Sequence, residues 1–225
     1  SQVEQGAAII DINVGAMGVD EVAALPEAVR VVSEVVGVPL CLDSSDPQAL
    51  EAALKVCPGK PLINSTTGEE KALDIILPLA REFGVAVIAL CHDEEGIVND
   101  PEKRFRVAEK IIRRARDYHL QEANILIDPL VLTVGAEATA GVVSLNAACL
   151  ISERLGLNLT MGASNVSFGL PNRHFINNNF LAMAIWCGVN APIVNPAAKE
   201  LMETILAADL LRGKDCYAAR YIRHC

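Results

Sequence analysis

The feature that most constrains this chain is a cadence. Short apolar runs recur near residues 7–14, 38–42, 61–64, 85–91, 124–127, 157–161 and 191–194, with starts 23 to 39 residues apart. Each run is followed by a polar, Gly or Pro break and then a helical pattern, as repeated strand–helix units require. The runs are continuous rather than alternating, which predicts parallel strands with helices over one face and tight packing on the other. Low aromatic content, 4%, also favours strands under helices over a β-sandwich.

Helix punctuation fits the same cadence. Asp20-Glu21 leads a helix over 22–36, and Asp46-Pro47 places a cap and a first-turn proline before 48–56. Thr67-x-x-Glu70 predicts a capping box for a helix reaching Phe83, with Gly84 just beyond. Asp100-Pro101 opens 102–119, while Gly156, Gly188 and Gly213 close helices over 141–155, 175–187 and 199–211. Seven units make an α/β fold of the (β/α)8 TIM-barrel class, one unit short. Residues 1–6 read as the end of a helix, so the expectation is one barrel domain over 1–225 lacking its first βα unit. An open doubly wound sheet is the alternative. Against it, no G-x-G-x-x-G or G-x-x-x-x-G-K-[ST] follows any strand.

The balance of 19 Lys+Arg against 28 Asp+Glu, net −9, excludes non-specific nucleic-acid binding, which needs a basic surplus. No uncharged apolar run nears the ~20 residues of a membrane helix, and no signal-peptide pattern opens the chain, so a cytoplasmic location is expected. The seven cysteines form no C-x-x-C pair. Buried free thiols in a reducing compartment are the expectation, rather than disulfides or a zinc knuckle. Cys216 and Cys225 are expected to be exposed, with nothing marking them as reactive.

The apolar runs end on Asp or Asn: Asp11 and Asn13, Asp43, Asn64, Asp128, Asn165 and Asn195. Singly, such residues cap helices and shape turns, and Asn195 beside Pro196 reads that way. Together they form a palette without Lys, His or Cys. Such a palette excludes a Schiff-base lysine and a zinc-activated water. It suits a flat heterocycle: a carboxylate accepts two N–H bonds from an aminopyrimidinone edge, and an amide donates and accepts at once. A pterin answers that description.

Five segments carry a resemblance: Ile10-Asp-Ile-Asn-Val-Gly15, Leu42-Asp-Ser-Ser45, Ile63-Asn-Ser-Thr-Thr-Gly-Glu69, Leu126-Ile-Asp-Pro-Leu130 and Gly162-Ala-Ser-Asn-Val-Ser167. In this order they resemble the methyltetrahydrofolate:corrinoid methyltransferases, a pterin-binding family with a dihydropteroate-synthase-like barrel. The resemblance implies a homodimeric barrel that moves a methyl group between N5 of tetrahydrofolate and the cobalt of a cobalamin-type corrinoid on a partner protein. It also implies pterin contacts from Asp43, Asn64 and Asp128, and a catalytic hydrogen bond near N5 from Asn165. Gly162 and Ser164 would shape the same wall, and Arg173 would meet the folate's anionic side. No metal ligand is implied. Dihydropteroate synthase is the nearest rival, but Asn13-Val-Gly-Ala-Met-Gly18 lacks its Ser-Thr-Arg pattern, and Ser-Asn stands where a lysine would be expected. A non-catalytic folate-binding scaffold of a corrinoid complex is the other alternative.

The remaining features have plain readings. His92, His119 and His174 are expected to serve loop and helix-end structure. Residues 93–99 account for the longest strand spacing and are expected to make a mobile lid. Arg104, Arg106, Lys110, Arg113, Arg114 and Arg116 are expected to form a solvated basic face on one helix.

Overall fold

The computed structural model describes residues 1–224, with backbone only for Lys199. Seven strands alternate with helices: β1 (Ile10–Asn13), α1 (Glu21–Ser33), β2 (Leu40–Asp43), α2 (Pro47–Leu54), β3 (Leu62–Thr67), α3 (Glu70–Phe83), β4 (Ala86–Leu90) and α4 (Pro101–Asp117). β5 (Ile125–Asp128), α5 (Ala140–Leu155), β6 (Asn158–Gly162), α6 (Arg173–Trp186), β7 (Ala191–Ile193), α7 (Lys199–Leu211) and a short α8 (Ala219–His224) follow. The chain forms two compact units, Ser1–Ile97 with Arg106–Ile127, and Val98–Phe105 with Asp128–Cys225.

In the first unit β1, β2, β3 and β4 pair in parallel and in sequential order, with β5 next in line. A doubly wound sheet reverses its order near the middle. Sequential order of parallel strands without reversal is barrel topology. Cys41, Leu62 and Ile88 pack together with Ala86, Leu90 and Leu126. The helices lay apolar stripes over the strands; on α3 the buried set is Leu73, Ile76, Leu77 and Ala80, spaced i, i+3, i+4, i+7. Fully burying one such leucine contributes about 1.5–3 kcal/mol.

The helix ends show which local signals the tertiary structure respects. Asp20 accepts Val22 and Ala23 N–H, Asp46 accepts Gln48 N–H at 2.8 Å, and Asp100 accepts Glu102 N–H at 2.9 Å. Gly84 and Gly156 close α3 and α5 in the left-handed conformation, φ 66° and 64°. The capping box expected at Thr67 does not form. β3 runs through Thr67, the α3 N-cap is Glu69 without a side-chain bond, and the Glu70 N–H goes to Glu94 Oε1 at 2.8 Å.

That bond also revises the lid expected at 93–99. Glu94 is tied to the α3 start and to Lys110 (3.2 Å), Gly96 N–H bonds Asp93 O, and Gly68 N–H bonds His92 O at 2.7 Å. Three basic residues of α4, Arg104, Lys110 and Arg114, depart from the solvated face expected of them, because 100° per residue turns a run of six to several sides, while Arg106, Arg113 and Arg116 are exposed. Arg104 is 1% exposed. Lys110 pairs with Glu70 and Glu94, Arg114 with Glu70 and Asp74, and Arg116 with Glu122.

In the second unit β6 and β7 pair in parallel, Thr160 with Ala191 through Gly162 with Ile193. Cys41 and Cys91 are buried free thiols as expected, and the expectation is corrected for one pair: Cys149 on α5 and Cys187, the C-cap of α6, form a disulfide. Small buried residues on α5, Ser144, Ala147 and Ala148, admit the close approach. Gly188 follows at φ 111°, where any Cβ would collide with Ser152. Cys216 is exposed as expected, and Cys225 lies outside the described residues. Asn195 acts as a turn residue, its Oδ1 accepting Ala197 N–H at 3.0 Å. No described helix is long and apolar enough to cross a membrane.

Candidate functional site

Parallel register puts paired residues on the same face of a sheet. In the first unit Asn13 pairs with Asp43, and Asp43 with Asn64, so β1, β2 and β3 present an Asn-Asp-Asn row, with Asn64 inside β3 rather than at its end as expected. One layer below, Asp11 pairs with Cys41. Asn13 Nδ2 donates to Asp43 Oδ2 at 2.9 Å, while its Oδ1 accepts Gly15 N–H at 2.8 Å. Asn64 Nδ2 donates to Asp11 Oδ1 at 3.3 Å. Ser44 Oγ donates to Glu21 Oε2 at 2.6 Å and accepts Asp46 N–H. The Asn64–Ser65 peptide is cis.

Burial raises the Asp43 carboxyl above its ordinary range; the Asn13 N–H opposes this, and the charges of Asp11 and Glu21 add to it. Burial, reinforced by Asp11, pushes the Cys41 thiol far up, so it is no nucleophile at neutral pH. Asp43 and Asn64 are thus brought together as expected. Asn13 and Asp11, noticed in the sequence only as strand ends, complete their hydrogen bonding. The signal for Asn13 was its position: two residues after Asp11 on one strand face, aligned with Asp43 by the spacing of the first two units.

The second unit holds Asp128, Gly162, Ser164, Asn165 and Arg173. Asp128 ends β5 and is 8% exposed. Its Oδ1 accepts Leu130 N–H at 2.8 Å across the turn Asp128-Pro129-Leu130. Burial raises its carboxyl to about 7, against the opposing pull of that N–H and of the Arg104 charge.

Asn165 lies exposed on the helical turn Ala163–Ser167 that follows β6. A Cβ on Gly162 would come within 3.0 Å of Asn165 Nδ2, so glycine there lets the amide fold over the strand end. The turn is braced from α6. Arg173 Nε donates to Ser167 Oγ at 3.0 Å and Nη2 to Ser164 O at 2.8 Å. Ser167 Oγ donates to Asn177 Oδ1 at 2.6 Å, and Asn177 Nδ2 reaches Ser164 Oγ at 3.4 Å. Asn177 was not anticipated; its signal is a polar residue opening the buried stripe Asn177, Phe180, Leu181, Ala184 of α6. His174, stacked 4.0 Å from Phe175, lies in the first turn of α6, and His92 contributes its backbone carbonyl.

Such side chains read donor and acceptor patterns and offer no nucleophile. The comparisons with known proteins agree in kind. A family model described as pterin binding enzyme matches residues 1–195. The chain is 31% identical over 225 residues to the methylcorrinoid:tetrahydrofolate methyltransferase of Eubacterium limosum, covering 98% of this chain and 83% of that protein. It is 31% identical over 207 residues to the methionine synthase of Mycobacterium tuberculosis, covering 86% of this chain but 17% of that longer protein. Among solved structures, a dihydropteroate synthase from Coxiella burnetii in complex with pteroic acid superposes with TM-score 0.76 at 18% identity, covering 95% of this chain and 83% of that one. The Yersinia pestis enzyme with a pterine-sulfa conjugate gives 0.71 at 17%, covering 94% and 86%. Those likenesses show the fold, and the expected α/β barrel class with seven strand–helix units stands.

Proposed function

The chain belongs to the pterin-binding enzymes, and from that premise we propose that it is a methyltransferase moving a methyl group between N5 of tetrahydrofolate and the cobalt of a corrinoid carried by a partner protein. The observation that carries this reading is the 31% identity to a methylcorrinoid:tetrahydrofolate methyltransferase along nearly the whole of this chain and 83% of that protein. The chemistry of the strand ends supports it.

A methyl on a tertiary amine leaves badly unless N5 is protonated before the C–N bond has broken, so that it departs as a neutral amine. The electron pair of that bond stays on N5, which takes a proton, and the methyl goes to Co(I). The nucleophile comes with the partner, so the fold needs none of its own. A neutral amide donating to or accepting from N5 favours the activated form most where the bond is breaking. Asn165 takes that role, with Gly162 leaving its amide room to move. Asp43, Asn64 and Asp128 recognise the pterin's N–H and ring-nitrogen edge. Ser164 and Arg173 act through the turn, since two guanidinium nitrogens are already committed to Ser167 and Ser164. The same groups serve the reverse direction by microscopic reversibility.

Mixing the protein with methyltetrahydrofolate and reduced cobalamin tests this directly. The expected result is loss of Co(I) absorption with formation of tetrahydrofolate. Folate binding without turnover would replace the enzyme by a scaffold. A homodimer in the cytoplasm is the expected setting, and sedimentation velocity reads the assembly.

A further inference from the structure

Arg104 starts a buried stripe on α4 with Ala108, Ile111 and Ala115, positions that otherwise hold only aliphatic side chains. A charge in such a slot costs more than an apolar residue of the same volume unless its bonds achieve something the apolar residue would not. Four hydrogen bonds of its guanidinium run within the second unit, and three of them meet one turn and its support. Nη1 donates to Pro129 O and Leu130 O, each at 2.8 Å, and lies 3.4 Å from Ser144 Oγ; Nε donates to Val98 O at 2.9 Å. Ser144 Oγ itself reaches Leu130 O at 2.7 Å.

Two consecutive carbonyls converge on one nitrogen only if the backbone turns sharply between them. Leu130 makes that turn at φ 66°, the left-handed region a leucine rarely enters. In that conformation its N–H points back to Asp128 Oδ1. The chain of cause runs from guanidinium to carbonyls, to the Leu130 backbone, to the carboxylate.

Resting on the reading of Asp128 as a pterin ligand, we propose that Arg104 is its positioning residue: the buried guanidinium holds the turn Asp128-Pro129-Leu130 and so presents the Asp128 carboxylate to the ring. Two groups act on that carboxylate electrostatically, the Leu130 N–H and Arg104 itself. A structural filler would affect melting alone; a positioning residue also governs how Asp128 ionises and how folate binds.

The test uses the full chain with Arg104→Met, Arg104→Lys and Asp128→Asn, and two readouts. Carbon-13 NMR follows Asp128 ionisation without ligand, and fluorescence titration gives methyltetrahydrofolate affinity from pH 6 to 9. In Arg104→Met the Asp128 midpoint is expected to rise by about one pH unit, and affinity at pH 7 to fall about tenfold, with partial recovery at pH 9. Arg104→Lys keeps the charge but loses the planar fork, so its midpoint stays near wild type while affinity falls about threefold. Should Arg104→Met fail to fold, Arg104→Lys and Ser144→Ala, which removes the second bond to Leu130 O, decide by the same affinity readout. If Asp128→Asn binds folate like wild type, the ligand reading fails, and the NMR midpoint still reports whether Arg104 governs Asp128. Folded Arg104 variants with unchanged midpoint and unchanged affinity overturn the proposal.

Discussion

Asp43 and Asp128 end strands of the same fold and differ in how the chain manages a buried carboxylate. Asp43 is half-buried among side chains: an amide from Asn13 holds it, and the charges of Asp11 and Glu21 crowd it. Asp128 is buried against backbone, one N–H on its oxygen and a guanidinium behind its turn. Both are raised by burial, Asp128 to about 7. A carboxylate set by side chains can be retuned one neighbour at a time. One set by backbone moves only when its turn moves. The expectation is that the Asn13-Asp43-Asn64 row adjusts binding strength in small steps, while the Asp128 and Asn165 segments act nearly all-or-none.

The sharpest test of that contrast is Asn165→Ala, expected to lower kcat by ~10²–10³ while folate affinity stays within about threefold. Stopped-flow loss of Co(I) separates the two parameters, and an equal fall in both would break the assignment. Next is Asp128→Asn, expected to weaken folate binding ~10- to 100-fold by losing a charge-assisted pair of bonds. It carries a second signature in stability. A carboxyl raised from 3.8 to about 7 on folding contributes stability that is full below pH 3.8 and is lost as pH rises through about 7. Denaturant titrations should therefore show wild type losing as much as ~4 kcal/mol across that window, a slope absent from Asp128→Asn. Asn64→Ala should weaken folate binding about tenfold with kcat little changed. The smallest effect is Asn13→Ala. Its N–H holds the Asp43 carboxyl down, so its loss raises that carboxyl further, and affinity should drop about threefold, with the loss shrinking as pH rises. If Asn13→Ala and Asp128→Asn gave matching pH profiles, the distinction between the two environments would fail.

What was legible in the sequence followed locality. Asp20, Asp46 and Asp100 announce helix starts because an N-cap bond spans two or three residues, and Gly84 and Gly156 announce ends for the same reason. β2 and β4 stood out because near-continuous burial leaves a continuous apolar run. Thr67-x-x-Glu70 misled because β3 extends through the threonine and a glutamate from 24 residues away takes the N–H instead. The Cys149–Cys187 disulfide depends on how two helices meet, which no spacing encodes. Arg104 was read as one of six surface cations. Its phase with Ala108, Ile111 and Ala115 was visible, but a lone charge on an apolar stripe is ordinarily at the stripe's edge. Asn177 hid in the same way within Asn177-Asn-Asn179. The polar residues closing the apolar runs were the most informative, because no helix cap explains Asn13, Asp43 and Asn64 in one layer.

The register Asn13–Asp43–Asn64 works as a ruler. Adjacent strands stand about 4.8 Å apart, so this row on three consecutive strands lays out polar groups over roughly 10 Å, and Ile88 on the fourth strand marks where the scale stops. Sliding β2 by a single residue would exchange Asp43 for Leu42 and erase the middle graduation. On the proposed reading of this row as a pterin contact, ligand size is written into strand pairing as much as into side-chain identity, and larger or smaller heterocycles would call for a different strand alignment before a different amino acid.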